Sequence, residues 1–583
     1  MLHRFFDSVW GSATELLAAP MRRRRWVDLL ALAAVAGVFA ALVFALRQWT
    51  APARAIVDID LGLLALPKYA LFSLVRALSA YALSLGFTLV VAYWAARNAL
   101  AERILIPILD ILQSLPLLAF MPAVLLTMMT LFPRSNVGLE LSAVVLIFTS
   151  QAWNMAFSFY QSLKTLPKEM EETSALFGFT WMEKLRLVEL PFAIPGLVWN
   201  SMVSVANGWF FLMASEAFKL GERDFRLPGL GSYVSVAVDR GDATAQVLAI
   251  ATMLLIVIAL DRLVWKPVVA WSQRFQVDEA LPVEKPRSVL LQIFRRSRLF
   301  RWLEYRRSQR LLRRRPPRNP FLEKAREELR RPGRWSGWMA TGGLLAVLAA
   351  LGVAGLSLLR LLVHVHGREW ATLLAAGGAS LGRVLLSTAL STLWTVPVGL
   401  AIGLSPRLSK RFQPVVQVVA SFPATILFPS LLMLLAGAGI RLNWSSVFLM
   451  MMGTQWYLLF NIIAGAQAVP MDLRETAEAY RMGLFRRLRS LYLPAIFPYL
   501  VTGWVTATGG AWNASIVAEI AQIRGHAHVA FGLGAQVALA TDARNMPLLA
   551  ASALLMAALV VLFNRLVWAP LYRLAEERFA LNR

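Results

Sequence analysis

Two stretches of this chain carry the same residues at the same spacing. Pro167, Glu172, Thr173, Leu190, Pro191 and Pro195 recur as Pro470, Glu475, Thr476, Leu493, Pro494 and Pro498, each 303 positions later and without a gap. Both stretches are polar and charged, yet each lies between two apolar runs. Pro167 and Pro470 end the preceding run. The residues that follow, KEMEETSALFG and MDLRETAEAYRMG, favour helix, with acids in the first turn where the helix dipole stabilises them. Basic residues follow: Lys184 and Arg186, then Arg486, Arg487 and Arg489. Leu190-Pro191 and Leu493-Pro494 are expected to stop this short helix and start the next run, because proline suits a first turn. The chemistry such an element offers is mechanical: a short amphipathic helix held between two spans, able to dock a soluble partner and transmit force. A single copy is equally well read as a helix resting on lipid; two copies at one interval favour docking.

A second group of residues is polar within apolar runs, where burial is costly and such side chains face a cavity or a partner. Gln151, Trp153 and Asn154 fall in one run, and Gln455, Trp456 and Asn461 in its repeat. Asn200, Asn207 and Trp209 fall in another, repeated by Thr508, Trp512, Asn513 and Ser515, and Glu216 and Glu519 close those two runs. Helix–helix hydrogen bonding accounts for any one of them alone. Glu216 and Glu519 are poor ligands for an anion and better suited to pair with an Arg or Lys, or to meet a partner. Arg76 and Arg383, near the membrane edge, are placed to attract an anion, with snorkelling to headgroups as the default. His526 and His528, two apart in a loop, make a weak metal motif.

The composition requires many spans to hold these groups. Of 583 residues, 58% are hydrophobic and 16% charged, and the mean hydropathy is +0.58. Apolar runs of about 18 or more residues recur along the chain, the mark of a polytopic helical membrane protein. No long alternating pattern argues for a β-barrel. The net charge of +25 is concentrated: residues 266–334 hold 20 Lys/Arg against 7 Asp/Glu. A basic loop between spans marks the cytoplasmic face and attracts anionic lipid, so nucleic acid is not expected as a partner. Cysteine is absent, which excludes disulfides and thiolate metal sites.

Spans are expected at 27–46, 69–96, 104–131, 141–163, 190–213 and 245–265, then at 338–362, 378–404, 414–437, 444–468, 494–517 and 546–567. This gives an all-α protein of about twelve transmembrane helices in two parallel six-helix repeats, with both termini cytoplasmic by the distribution of Lys and Arg. The expected organisation is an amphipathic segment at 1–25, a first membrane domain at 26–267, a basic linker at 268–337, a second membrane domain at 338–572 and a tail at 573–583. The run after Arg22–Arg25 lacks a small-residue cleavage site and reads as an anchor. The repeat interval is 307 upstream (Ser73/Ser380, Arg76/Arg383, Pro116/Pro423, Pro122/Pro429) and 303 from Trp153/Trp456 onward. Four residues are therefore absorbed between Pro122 and Trp153, most simply in the loop at 133–138. An even number of spans per half makes the halves parallel, with a pathway between them.

At the doubled segment the chain resembles the transmembrane subunits of binding-protein-dependent ABC importers. Their signature is E-A-A, three residues, G, a spacer and L-P. Glu172-Thr173-Ser174, Gly178 and Leu190-Pro191 match it with both alanines replaced. Glu475-Thr476-Ala477 and Leu493-Pro494 match in the second copy, where Arg481 holds the glycine position and Gly483 follows. The WNASIVAE run at Trp512–Glu519 and the LFNRLVWAPLYRLAEERF tail are similar to the nitrate/sulfonate/taurine/bicarbonate branch in its duplicated-permease form. The resemblance implies a type I importer-like permease fold whose two short helices sit in clefts of two ATP-binding subunits. It also implies a periplasmic or lipid-anchored solute-binding protein, an inner-membrane location, a small anion as solute, and ATP with Mg used only by the partner. In agreement, no lysine is preceded by glycine, so no P-loop exists and the chain is not expected to be an enzyme. A 6+6 secondary carrier shares the topology, but it calls for mid-span ionisable groups and leaves the doubled segments unexplained. A scaffold or sensor would call for a soluble domain.

Overall fold

The computed structural model describes residues 47–51, 58–114, 116–220, 223–275, 355–523 and 526–579, with isolated positions at 37–44 and 349–353. The expected surface segment at 1–25 and all of the expected linker at 268–337 beyond residue 275 lie outside the described residues, as do most of the expected spans at 27–46 and 338–362.

The architecture is helical and repeated. In the first half α1 (Leu66–Phe87) runs through a π-helical turn at Thr88–Ala92 into Tyr93–Arg97. It is followed by α2 (Ala99–Ser114), α3 (Met121–Leu131), α4 (Val137–Lys164), α5 (Lys168–Leu176) and α6 (Leu190–Glu216). A hairpin of β1 (Lys219–Leu220) and β2 (Arg223–Asp224) leads to α7 (Leu230–Asp239), α8 (Ala243–Leu260) and α9 (Lys266–Ser272). The second half repeats this order as α10 (Gly367–Leu404), α11 (Pro406–Ala420), α12 (Phe428–Gly437), α13 (Leu442–Gln467), α14 (Met471–Ala479) and α15 (Leu493–Ala518). It closes with β3 (Ile520–Ile523), β4 (His526–Val529), α16 (Leu533–Asp542), α17 (Met546–Phe563) and α18 (Ala569–Phe579). Among the described residues, seven helices are long and apolar enough to cross a membrane. The expected domain limits at 267 and 572 fall inside α9 and α18.

Two expected spans are not single helices. The run 104–131 breaks after α2, turns at Pro116 (ψ 98°) into a 3-10 turn at Leu117–Phe120, and resumes as α3. The run 414–437 does the same at Pro423, through Ala424–Leu427, before α12. Each proline lacks the N–H that would continue the ladder and pushes the residue before it out of the α region. A helix of 11 residues such as α3 is about 16 Å long, too short to span alone. These short elements cross between halves: Leu117–Phe120 packs on α15, and Ala424–Leu427 packs on α6.

Leu190-Pro191 does not stop a helix either. A helical turn at Trp181–Lys184 continues through a π turn at Leu185–Glu189 straight into α6, and Leu190 N–H reaches back five residues to Leu185 O. The second copy repeats this, with Leu493 N–H on Leu488 O. Lys266-Pro267 and Ala569-Pro570 follow π turns in the same way. A proline inside a helix removes a bond and crowds the carbonyl four residues back; one extra residue in the preceding turn relieves both.

The apolar core is continuous across both halves toward one end of the bundle and divides toward the other. The shared part holds Ile147, Trp209 and Leu212 of the first half with Met450, Trp512 and Ile516 of the second. Further along the same helices, Met155, Phe159 and Leu197 form a cluster of the first half alone, and Leu458, Ile462 and Leu500 one of the second. The divided end is the one that carries the repeated segments.

Candidate functional site: the repeated helix and the buried arginines

The repeated segments share one backbone. Each helix begins at its proline, and each ends in a left-handed residue: Gly178 at φ +60° and Arg481 at φ +47°. In the first copy Gly178 N–H bonds Ala175 O and Phe179 N–H bonds Ser174 O. In the second, Arg481 N–H bonds Glu478 O and Met482 N–H bonds Ala477 O. This is one helix-terminating motif twice, so Arg481 occupies the glycine conformation without changing the fold. Ser174 and Ala477 face inward and are buried, while Glu172, Glu475 and Thr476 face outward and Thr173 is half-buried. Gly483 is the N-cap of the next turn, at Leu484–Arg487. Leu190 and Pro191, like Leu493 and Pro494, are the first residues of the long helices.

Each turn exposes large apolar groups: Leu176 (83%), Phe177 (63%) and Trp181 (63%) in the first, Tyr480 (79%), Leu484 (74%) and Phe485 (78%) in the second. Phe177 corresponds to Tyr480, and Trp181 to Leu484. Side chains this exposed gain little from their own fold and mark a contact surface.

The copies differ in how they are anchored. Lys184 Nζ lies 3.0 Å from Glu171 and 3.8 Å from Glu189; Arg97 lies 3.5 Å from Glu171 and also pairs with Glu189. The hydrogen bond from Lys184 holds the Glu171 carboxyl below its ordinary value, with Arg97 adding to it. In the second copy Arg474, Arg487 and Tyr492 stand where Glu171, Lys184 and Glu189 stand in the first, and Leu404 stands for Arg97. Arg474 instead donates to Ala466 O at 2.6 Å, and Arg487 lies 3.9 Å from Glu478. Residues 167–189 carry five acids and three bases, whereas 470–492 carry three acids and five bases.

At the opposite end the arginines neither snorkel nor face solvent as free charges. Arg76 is fully buried, with Nε 2.5 Å from Glu140 and Nη1 2.7 Å from Glu216 and 2.8 Å from Pro228 O. Glu216 also accepts from Ser73 Oγ (2.7 Å) and Gly231 N–H (2.8 Å), which ties α6 to the start of α7. The second half repeats this with Arg383 on Glu519 (2.9 Å), Ser380 Oγ (2.7 Å) and Gly534 N–H (2.9 Å). A Cβ on Gly229 or Gly532 would lie 2.2–2.4 Å from the nearest carboxylate atoms of Glu216 or Glu519. The expected pairing of each Glu with an Arg is what the geometry places there. Sequence reasoning missed Glu140, the third member, whose place the second half fills with Asn443, 3.0 Å from Arg383. Its signal was an acid 303 positions before an asparagine. That correspondence also puts the four-residue difference before Glu140, in the turn at 132–136.

Of the mid-span polar residues, Trp209 and Trp512 are buried in the shared core. Trp153 packs against Phe87 and Phe148. Trp456 packs edge-on to Trp394, whose indole N–H donates to Gln455. Asn200 bonds Ser158, and Asn461 bonds Tyr457 O. Asn513 donates to Gly509 O, while its buried carbonyl oxygen has no partner among the described residues. Asn207 accepts from Tyr457 Oη at 2.5 Å, across the two halves; sequence reasoning also missed this tyrosine. Asn154 has no partner among the described residues. His526 and His528 lie on β4, and no cluster of metal-binding side chains occurs among the described residues.

The sequence matches one family model twice, at residues 87–264 and 395–576, and the chain belongs to that family: the inner membrane components of binding-protein-dependent transport systems. It is 29% identical over 146 residues to the nitrate import permease protein NrtB of Synechococcus elongatus, covering 25% of this chain and 51% of that protein. It is 28% identical to the bicarbonate transport system permease protein CmpB of Synechocystis (26% and 52% covered) and to the taurine transport system permease protein TauC of Escherichia coli (27% and 55%). The chain spans about half the length of these curated relatives.

Proposed function

We propose that this chain is the translocation subunit of an ATP-driven importer, with both permease halves in one polypeptide, moving a small anion such as nitrate, a sulfonate or bicarbonate by alternating access. The apolar side chains exposed at both repeated turns carry the reading: Phe177 and Trp181, Tyr480 and Leu484 are two apolar plugs at corresponding positions at the same end of the bundle. They fit clefts in two ATP-binding subunits, which bind and hydrolyse ATP with Mg at the cytoplasmic face. The chain itself catalyses nothing and binds no cofactor. A periplasmic or lipid-anchored solute-binding protein delivers solute at the opposite end, and the bundle lies in the lipids of the bacterial inner membrane with both termini cytoplasmic. In that orientation the shared core is a closed outer gate, and the divided cores leave the halves parted toward the cytoplasm. Trp153, Asn154, Asn207, Trp209, Trp456, Trp512 and Asn513 flank the route, while the Arg76–Glu216 and Arg383–Glu519 pairs brace its outer end.

The test is co-purification of an ATPase with the detergent-solubilised chain, comparing wild type with Glu172→Lys, Glu475→Lys, Phe177→Asp and Tyr480→Asp. Loss of the ATPase with substitutions in either copy supports two working couplers. No ATPase in the wild type, with uptake following a proton or sodium gradient, would replace this reading with the secondary carrier.

A further inference from the structure

The level at which one core becomes two is marked by polar residues. On α6, Asn207 lies between Leu197 of the first-half cluster and Trp209 of the shared core. On α13, Tyr457 lies between Met450 of the shared core and Leu458 of the second-half cluster. On α4, Asn154 lies between Ile147 and Met155 in the same way, and Asn154 is the repeat counterpart of Tyr457. Tyr457 lies against Gly510 of α15, where an added Cβ would come within 3.3 Å of its ring, and reaches across to Asn207 of α6. Gly510 is the counterpart of Asn207, so the tyrosine takes the space that a second asparagine side chain would fill.

From this we infer that Tyr457 and Asn207, with Asn154 at the same level of α4, form the solute site of the pathway, and that it takes an oxyanion on neutral hydrogen-bond donors. The inference rests on the importer reading above. The phenol donates to the Asn207 carbonyl oxygen, and the Asn207 amide nitrogen has no partner among the described residues. An amide carries an acceptor and two donors, so a half-turn of the Asn207 amide presents N–H instead. Tyr457 O–H and Asn207 N–H then converge on one oxygen-rich solute, and the bond between the halves opens as the solute binds. The ionised group nearest this belt among the described residues is Asp261, which lines a small cavity with Val205, Ala206 and Trp209 and lies 3.7 Å from Lys266 and 3.8 Å from Arg262, while Arg76 and Arg383 are bound to their own carboxylates. Neutral donors hold an anion firmly enough to select it and weakly enough to release it, which a transport site requires. Tyr457 also lies near the middle of α13 (Leu442–Gln467), as expected for a solute site between parallel repeats.

The test is uptake by cells carrying the intact transporter with single substitutions, using labelled nitrate, bicarbonate and taurine as probes and glycine betaine as a cationic-headgroup control. Removing one hydrogen bond to a charged ligand is worth roughly tenfold in affinity. Tyr457→Phe and Asn207→Ala should each raise KM for the transported oxyanion roughly tenfold with the maximal rate kept within about twofold. Asn207→Asp should abolish oxyanion uptake by like-charge repulsion while ATPase co-purification persists. Leu459→Val, a buried packing change two positions from Tyr457, should leave KM unchanged. Wild-type KM in both Tyr457→Phe and Asn207→Ala overturns the site. A fall in maximal rate with KM unchanged overturns it too, leaving the bond a latch between halves. If the wild type takes up none of the three oxyanions, the anion-importer reading fails instead.

Discussion

Replacing Arg76 by methionine should damage the fold far more than the same change at Arg383. Arg76 faces two carboxylates, Glu140 and Glu216, and all three side chains are fully buried. Without it two carboxylates lose their counter-charge, and breaking one buried pair costs about 3–5 kcal/mol; the expected loss lies at the upper end of that range. Arg383 faces one carboxylate, because Asn443 stands where Glu140 stands, and it is 11% exposed. Glu519 keeps Ser380 Oγ and the N–H groups of Gly534 and Ala535, so about 2–3 kcal/mol is expected. The assay is the temperature at which half of the solubilised protein stops eluting as a single species. The order should be wild type, then Arg383→Met, then Arg76→Met well below. Glu140→Gln should partly rescue Arg76→Met by removing one orphaned charge. Equal losses for the two arginine variants, or no rescue, would refute the electrostatic account and leave a packing effect.

Other perturbations test the same geometry. Gly229→Ala and Gly532→Ala drive a methyl into a carboxylate that cannot retreat, and each should cost about 2 kcal/mol or more in the same assay. Arg481→Gly should stabilise its turn by about 1 kcal/mol and Gly178→Ala destabilise the other by as much, read as amide exchange protection at Met482 and Phe179. Glu171 titrates below its ordinary 4.5 in the folded chain. Its contribution to anchoring is complete above that value and disappears as pH falls through the lowered one. Limited proteolysis should therefore open 168–180, as pH falls through Glu171's lowered value, before it opens 471–483, where Arg474 takes the place of Glu171.

Much of this was legible in the sequence because the repeat reports on itself. Proline and Leu-Pro pairs at a fixed interval located both repeated segments, and runs of apolar residues located most helices. Helix continuity was not legible at Leu190-Pro191, because a π turn absorbs the proline and nothing in the residue pattern announces one. Pro116 and Pro423 did announce a break, but apolar runs of 28 and 24 residues hid it, since hydropathy is blind to backbone direction. Glu140 was hidden by its place just inside a helix start, where acids are ordinary. Tyr457 was hidden because its counterpart is an asparagine, so a search for matching pairs passes over it.

The replacement of Glu171 by Arg474 has a consequence for how such a protein can change. Where two identical chains make up a pair, every substitution is made on both sides at once, and a lysine anchored to a glutamate loses that partner twice. With the two copies written in tandem, one copy can keep its anchor while the other trades acid for base. In the present chain the two copies differ in this way around Glu171, Glu189 and Arg97, and again where Asn443 stands for Glu140. Two repeated faces in one chain are thereby free to differ, one ion-paired to its neighbours and net acidic, the other net basic.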